Sequence, residues 1–337
     1  MHIKEKTLDD LLNSTYTFIL ENGDHITASK GENFEVRNAV LTLENPRSRL
    51  SISETRSKLI SCIGEFFWYL NGSDSLEFIE YYISDYRKYI EYQIDENKPA
   101  LGAYGPRIFG AQNQFNKIIE VLKDKPTSRR AVISIYSKDD LLREDSRDIP
   151  CTCLLQFFIR NERLHLTATM RSNDAAIGLV HDIFSFTLIQ ELLLAKLIRY
   201  IPNLQLGEYT HIVGSLHIYK KNIEGIRHYL DNEGWQNITG MFQLTPELLD
   251  EDLPKVMDLE QSLRSGSMMS IDVINDLKDP FWKELAVILF AYRFFKNMDL
   301  YNLNLLKNLC QSDPVIYFLA KKSDELIEKG FSNEIST

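Results

Sequence analysis

Residues 150–182 read PCTCLLQFFIRNERLHLTATMRSNDAAIGLVHD, and this stretch decides the fold. Two β-rich runs, at 153–159 and 164–170, are joined by the polar turn RNER at 160–163, a pattern that predicts a β-hairpin. The sequence IFSFTLIQELLLAKLI follows at 183–198. It is apolar almost all round, which is typical of a helix enclosed in a core. We therefore predict a hairpin that leads into a buried central helix.

Weaker patterns extend on both sides of this segment. Helical spacing or alternation of apolar residues predicts helices over 53–71 and 115–122 and strands over 130–136 and 209–219. The first of these helices ends at Asn71 and Gly72, which are typical stop residues. Residues 1–13 are polar with a helical pattern, and no run reaches the roughly 18 apolar residues that a membrane span needs.

The composition narrows the possible functions. The chain has 337 residues, of which 44% are hydrophobic, enough for a large core. The formal charge of −10 argues against a protein that binds nucleic acid generally, so phosphate recognition requires a local arginine cluster. Four cysteines without a paired framework predict free thiols. With no apolar targeting segment, the sequence predicts a cytoplasmic protein without a membrane partner.

Five motifs, in order, resemble those of the thymidylate synthase family. The segment at 150–182 pairs proline with cysteine and continues after the hairpin to Arg-Ser-x-Asp and a glycine-leucine turn. The other motifs are GEFFWYLNG at 64–72, GAYGPRIFG at 102–110, SRRAVIS at 128–134 and GSLHIYKKN at 214–222. The resemblance runs from about residue 20 to residue 230. It implies an α/β (α+β) thymidylate synthase-like fold, with a mixed β-sheet and a buried central helix.

The resemblance also implies a division of the chain. Residues 1–236 are expected to form a thymidylate synthase-like catalytic domain. Residues 237–337 are expected to complete that domain and to add a helical C-terminal extension. The sequence there favours amphipathic helices with caps at Asp279 and Asp313.

Cys151 is the expected nucleophile. A thiolate that adds to C6 of a pyrimidine turns C5 into an enamine-like carbon nucleophile, whereas the C5 of an intact aromatic ring is too weak to attack a folate-bound methylene. The alternatives are a buried structural cysteine and a zinc ligand paired with Cys153. No second ligand pair lies at a suitable spacing, so we expect no metal.

The resemblance assigns roles to further residues. The expected nucleotide-binding residues are Lys30, Arg129, Arg130, Arg171, Ser172, Asn173, His217 and Tyr219, and those expected to meet 5,10-methylenetetrahydrofolate are Glu65, Asp174 and Gly178. Glu65, Asp174, Asp182 and Tyr104 join Cys151 in the expected catalytic set. Guanidinium forks suit phosphate oxygens. In the family the paired arginines reach into the neighbouring subunit, so a homodimer is implied.

Most of these residues also have a plain structural interpretation. Glu65 is alternatively a helix-surface glutamate, and Asp174 a turn or cap residue. The SRR segment at 128–130 is alternatively a solvated strand start. The residues that are alternatively satisfied core residues are Tyr104, His217 and Tyr219.

Asp182 is expected to determine which pyrimidine base the enzyme accepts. Members specific for uridylate carry asparagine here, which matches the N3 donor and O4 acceptor of uracil. Cytosine instead offers an N3 acceptor and an N4 amino donor. A carboxyl group accepts from N4 while sharing a proton with N3, which makes C6 more electrophilic toward Cys151. The alternative is an N-cap aspartate that opens a helix at Ile183.

Two further departures favour a cytidylate enzyme. Thr152 stands where methylating members usually carry histidine, and Met170 replaces a glutamine, as in deoxycytidylate hydroxymethylase. The favoured reaction is therefore C5 hydroxymethylation of dCMP or CMP. The alternatives left open are a (d)CMP C5-methyltransferase, a dUMP-methylating thymidylate synthase, and a catalytically idle paralogue that binds nucleotide or RNA.

Overall fold

A computed structural model of the chain describes residues 1–28, 30–51, 53, 55–56, 58–90, 99–144, 148–233 and 241–330. By its internal contacts the chain falls into two units, Met1–Asn237 and Ile238–Thr337. The first unit contains every strand of the described residues, and the second is helical. The catalytic and extension roles expected for 1–236 and 237–337 stay predictions.

A mixed sheet organises the first unit. Its strands are β1 His2–Glu5, β2 Asp24–Ala28, β3 Gly31–Leu43, β4 Val132–Ser134, β5 Thr152–Arg160, β6 Arg163–Asp174 and β7 Gln205–Tyr219. Their order across the sheet is β1-β3-β7-β6-β5-β4, and β2 pairs with β3. Strand β1 is parallel to β3 and β6 is parallel to β7, whereas the other pairs are antiparallel. The expected mixed sheet is therefore confirmed.

The hairpin of β5 and β6 has the turn that its sequence predicts. Asn161 and Glu162 have φ values of 49° and 56°, so both central residues of the turn are left-handed, as a two-residue hairpin loop requires. The predicted strands at 130–136 and 209–219 are observed with different ends, as β4 and β7.

Helices surround the sheet of the first unit. They are α1 Leu8–Asn22, α2 Leu59–Leu70, α3 Leu76–Tyr82, α4 Arg87–Ile90, α5 Gly105–Phe109, α6 Gln114–Asp124, α7 Lys138–Leu142, α8 Gly178–Leu197 and α9 Ile223–Asn232, with a 3₁₀ turn at Lys220–Asn222. Helix α6 confirms the helix predicted over 115–122. The sequence analysis missed α1 as a full helix and the β2–β3 hairpin.

Helix α8 is the predicted central helix, but it begins at Gly178 rather than at residue 183. By length and hydropathy it could cross a membrane, contrary to the prediction that no segment could. However, 94% of that apolar window is buried inside the protein. Its apolar surface is therefore the mark of a core helix, as its sequence suggested.

Helix α2 is shorter than the predicted helix over 53–71. The Ser53 hydroxyl accepts a hydrogen bond from the Arg56 N–H at 2.9 Å, so a side chain satisfies this backbone group outside a helix. The C-terminal end agrees with the prediction, because Asn71 is the C-cap and Gly72 has a φ of 59°.

The prediction of a helical N-terminus is wrong for the first residues. His2–Glu5 pair in parallel with β3, from His2 opposite Val40 to Glu5 opposite Leu43. The helix begins only at Leu8, where the Thr7 side chain accepts from Asp10 N–H. Sheet pairing has overridden the local helical pattern.

The second unit contains α10 Leu249–Arg264, α11 Pro280–Lys296, α12 Leu300–Leu305 and α13 Asp313–Glu328, with 3₁₀ turns at Ile271–Asp276 and Leu306–Leu309. The Asp279 cap is confirmed, since its side chain accepts from the Phe281 N–H. The predicted cap at Asp313 is wrong. Ser312 is the N-cap, held by its N–H to Glu284 at 2.7 Å, and Asp313 lies inside the first turn.

Candidate active site

Cys151 lies directly before β5, beside an irregularity in the pairing of β5 with β6. Its carbonyl oxygen accepts a hydrogen bond from the Arg171 N–H at 2.9 Å. The Arg171 guanidinium turns back to the same segment, where Nε donates to the Pro150 carbonyl and Nη2 to the Ile149 carbonyl, each at 2.9 Å. The strand pair therefore holds a cation beside the candidate nucleophile.

Burial raises the pKa of the Cys151 thiol. The Arg171 cation lowers it, the Asp182 carboxylate raises it, and the Lys30 cation lowers it again. Lys30 comes from the turn between β2 and β3, next to Gly31, whose φ of 118° is left-handed. Arg171 and Lys30 thus favour the thiolate that nucleophilic attack requires.

The surroundings of Cys151 bear on its two alternative roles, a buried structural cysteine and a zinc ligand. The residue is partly exposed, unlike the buried Cys62, so its side chain is not enclosed in the core. Across the ranges that the structure describes, no three His, Cys, Asp or Glu side chains are arranged to hold a metal ion.

Asp182 lies in the second turn of α8 and is only 7% exposed. Its Oδ2 accepts a hydrogen bond from Asn173 Nδ2 at 2.7 Å. Burial raises the pKa of Asp182 well above its ordinary value, and the Glu65 charge adds to this, while the Asn173 hydrogen bond opposes it. The N-cap alternative is wrong, because the helix begins four residues earlier, at Gly178, with Ile177 as its cap.

An aromatic layer connects Glu65 to the nucleophile segment. The Tyr69 hydroxyl donates to Glu65 at 2.5 Å, and the Tyr69 ring lies 5.3 Å from that of Tyr104. Tyr104 stacks on Phe186 of α8 at 6.3 Å, and its hydroxyl accepts the Thr152 N–H at 3.2 Å. The carboxylate of Glu65, half-buried rather than on the helix surface, is therefore linked by packed rings to the residue after Cys151.

The ends of β6 and β7 carry a second polar group. Asp174 pairs in register with His217, and the Tyr219 ring meets the His217 ring edge-on at 4.9 Å. Burial raises the pKa of Asp174. Its Oδ1 also accepts the Ala176 N–H at 2.8 Å, so the turn interpretation has a contact in the structure. Ser172 lies two pairs earlier, opposite Ser215.

Arg129 and Arg130 lie elsewhere in the first unit. They line a cavity of about 570 Å³ whose walls are Val121, Asp124, Lys125, Thr127, Ser128, Arg129, Arg130 and Arg160. Cys151 is not part of this lining. Within one chain, the cavity gathers these arginines apart from the nucleophile, and their contribution to a neighbouring subunit stays a prediction.

Comparison with known proteins decides the family. The sequence profile described as thymidylate synthase matches residues 14–247, which is more than half of the chain. The chain belongs to the thymidylate synthase family. A similar curated protein is the thymidylate synthase of Bacillus subtilis subsp. natto, 28% identical over 125 residues. That match covers 37% of this chain and 42% of the relative, so the chain matches less than half of the relative's length.

The thymidylate synthase match confirms the resemblance and the fold class drawn from the five motifs. Every predicted site residue, from Lys30 to Tyr219, lies within residues 14–247. The roles of these residues stay predictions.

Sequence reasoning assigned no role to several polar residues of this thymidylate synthase-like site. The imidazole of His181 contacts the Ile177 carbonyl through Nδ1 at 2.9 Å and the Ser61 hydroxyl through Nε2 at 2.8 Å. His211, fully buried in β7, contacts Asn173. Strand β7 carries two histidines, at 211 and 217, and the sequence motif indicated only the second.

Proposed function

We propose that the protein transfers a one-carbon unit from 5,10-methylenetetrahydrofolate to C5 of a cytidine monophosphate nucleotide, dCMP or CMP, and releases the 5-hydroxymethyl product. The observation that carries this proposal is Asp182, a buried carboxyl group whose pKa is raised and whose charge acts on Cys151. Family membership supports the general chemistry, and this carboxyl group supports the choice of cytosine.

Asp182 suits cytosine because of its proton. Burial raises the pKa of Asp182 and so favours its protonated form, in which one carboxyl oxygen donates to N3 of cytosine while the other accepts from the N4 amino group. Uracil places a donor at N3 and an acceptor at O4, so its pattern is reversed. In a buried site such mispairing discriminates strongly between bases.

The proposed reaction begins when the Cys151 sulfur bonds to C6. The electron pair that this addition places on C5 then attacks the folate methylene, which breaks the bond from that carbon to one folate nitrogen. Loss of the C5 proton releases tetrahydrofolate and leaves an exocyclic methylene. Water adds to this carbon and Cys151 leaves C6, so the products are tetrahydrofolate and the hydroxymethyl nucleotide with no net oxidation.

Three other residues are placed where they can assist these steps. The Glu65 carboxylate, fixed by Tyr69, is suited to proton transfer at the pyrimidine. Asp174 offers carboxyl oxygens to the pterin ring. Arg171 has its guanidinium beside the nucleophile segment, where it suits the 5′-phosphate.

Water rather than hydride completes the reaction in this proposal. Thr152, fully buried, and Met170, 2% exposed, are paired on β5 and β6. They replace the histidine and glutamine usual in methylating members, and this supports hydroxymethylation.

The test is to incubate the protein and methylenetetrahydrofolate with dCMP, CMP or dUMP and to weigh the products. We expect cytidylate to gain CH2O without the absorbance rise of dihydrofolate. A gain of CH2 with that absorbance rise would identify a methyltransferase, and turnover of dUMP alone would overturn the base assignment. No turnover of any nucleotide, with binding retained, would favour the idle paralogue.

We also propose that the protein is a homodimer in which each site uses the paired arginines, Arg129 and Arg130, of the partner. The supporting observation is the cavity that holds these arginines apart from Cys151 in one chain. Mixing inactive Arg129→Ala with inactive Cys151→Ala protein should restore part of the activity through hybrid dimers. Sustained inactivity of the mixture, with subunit exchange verified by mass, would contradict the shared site.

A further inference from the structure

Behind Asp182 runs a line of buried hydrogen bonds that the proposed reaction does not use. Asn173 Nδ2 lies 2.7 Å from Asp182 Oδ2, and Asn173 Oδ1 lies 3.3 Å from His211 Nε2. The Tyr209 hydroxyl lies 2.6 Å from His211 Nδ1. None of the four side chains is more than 7% exposed. Three elements, α8, β6 and β7, thus contribute to one relay.

The observed orientation of the Asn173 amide sets the direction of each hydrogen bond in this relay. An amide oxygen can only accept, so His211 Nε2 must carry the proton that reaches Asn173 Oδ1. Burial lowers the pKa of His211 to about 3, so the ring is neutral and Nδ1 accepts from the Tyr209 hydroxyl. Asn173 Nδ2 consequently donates to Asp182 Oδ2, and a proton on this carboxyl group belongs on Oδ1.

We propose that His211, acting through Asn173, is a positioning residue that makes Asp182 present a hydrogen-bond donor to the base and thereby excludes uridylate. This inference rests on the proposed function, because it assumes that Asp182 faces the pyrimidine. It assigns part of the base selectivity to a side chain in the sheet behind the site.

The chemistry follows from the two orientations of the Asn173 amide. In the observed orientation Oδ2 of Asp182 is an acceptor, and Oδ1–H is left to donate to N3 of cytosine. Rotation of the amide by half a turn would aim its oxygen at Asp182, so that the carboxyl proton moves to Oδ2. Oδ1 would then be an acceptor, which matches the N3–H of uracil. Such a rotation would also require the His211 proton to move from Nε2 to Nδ1 and the Tyr209 hydroxyl to change from donor to acceptor, so the buried network opposes it.

Gly178 supports the same orientation from the other side. A Cβ atom at this position would lie 2.9 Å from Asn173 Nδ2 and 3.6 Å from Asp182 Oδ2. Asn173 is 4% exposed and bonded at both ends, so its amide has little room to move away. The first residue of α8 therefore leaves the space in which Nδ2 meets the carboxyl group.

Two amide substitutions of similar polarity separate this role from simple packing. In His211→Gln, the side-chain nitrogen reaches as far as imidazole Nε2 and can still donate to Asn173. In His211→Asn, it reaches only as far as Nδ1 and leaves Asn173 Oδ1 without its donor. The measurement is kcat/KM for dCMP and for dUMP in each full-length variant, with the thermal midpoint as the check of folding.

We expect His211→Asn to lower the dCMP-to-dUMP ratio of kcat/KM about tenfold to hundredfold, and His211→Gln to keep it within about threefold of wild type. Gly178→Ala should lower the ratio in the same direction. Because alanine favours helices, this variant provides the test if His211→Asn does not fold.

Other outcomes overturn the inference. If kcat/KM falls equally for dCMP and dUMP, or if the Gln and Asn variants have equal dCMP-to-dUMP ratios, His211 contributes only packing. An unchanged ratio in Gly178→Ala would refute the amide orientation. If wild-type protein does not prefer cytidylate, the proposed function itself fails; if it does and the ratios do not respond, only the relay fails.

Discussion

Asp182 in the first unit and Asp279 in the second are both buried aspartates, and burial raises the pKa of each. Their hydrogen-bond donors differ. Asp279 accepts the backbone N–H groups of Thr245 at 2.7 Å and Phe281 at 3.0 Å, and so caps α11. Among the described residues, the donor that Asp182 meets is one side-chain amide, that of Asn173.

This difference separates a structural carboxylate from one available to a ligand. Backbone N–H groups are fixed by the chain, so a carboxylate that satisfies them holds the fold together. A carboxyl group with one side-chain donor keeps lone pairs for another molecule, although its burial is costly. Burial and a raised pKa therefore do not distinguish these two aspartates, whereas the kind of donor does.

The largest effect should come from the nucleophile of the first unit. We expect Cys151→Ala to lower kcat for cytidylate by on the order of 10⁴-fold or more, because no other group can form the C6 adduct. Binding of dCMP, measured by calorimetry, should persist. The matched control is Cys310→Ala in the second unit, which should leave kcat nearly unchanged. Comparable losses in both variants would remove the distinction between the units.

The next largest effect should be on the selectivity between cytidylate and uridylate. Asp182→Asn replaces the carboxyl group with a carboxamide that matches uracil, so the ratio of kcat/KM for dCMP over dUMP should fall by about 10³-fold. Asp279→Asn should leave this ratio unchanged. The ratio is measured by competition between the two nucleotides in one reaction. A response to the second substitution would mean that the donor set does not distinguish the two aspartates.

The effect on the free energy of unfolding should be larger at Asp279 than at Asp182. Asp279→Ala removes the acceptor of two buried backbone N–H groups, so the free energy of unfolding should fall by about 2 kcal/mol. Asp182→Asn keeps the shape of its side chain and loses no backbone partner, so it should cost less than about 1 kcal/mol. Urea unfolding of both variants measures the difference. A larger loss in Asp182→Asn would assign that carboxyl group a structural role.

The smallest effect concerns pH. Because burial raises the pKa of Asp182, the unfolded chain releases this proton near pH 3.9, below the pH at which the folded protein does. Wild-type stability should therefore fall relative to Asp182→Asn as the pH rises from about 4 toward the folded pKa. Thermal midpoints across this range measure the trend. A constant gap between the two proteins would show that the folded carboxyl group titrates normally.

Sequence patterns predicted the fold best where local and tertiary preferences agree. The hairpin turn at Asn161 and Glu162 and the stop at Gly72 depend on backbone conformation within a few residues, so they could be read directly. The strand at His2–Glu5 could not, because it depends on a partner near Val40. The start of α8 was misplaced because Gly178, His181 and Asp182 interrupt the apolar pattern in its first turns.

The candidate site shows the same limit. Motifs located Cys151, Glu65 and Asp182, whose positions carry the family resemblance. They did not indicate His211, because its contact with Asn173 joins residues 38 positions apart and no motif records that contact. Residues that touch a reacting group repeat across a family, whereas the residues behind them depend on the packing of one chain.

The pairing of β3 with β7 has a consequence for synthesis. Asn33 meets Tyr219 and Leu43 meets Tyr209, so β3 waits for a strand that is translated much later. At typical elongation rates this interval is roughly ten to forty seconds. During that time the nascent chain carries an open strand edge and the apolar surface of α8, which emerges from the ribosome before β7 does. The sheet that joins β3 to β6 through β7 is therefore completed only once residue 219 has left the exit tunnel.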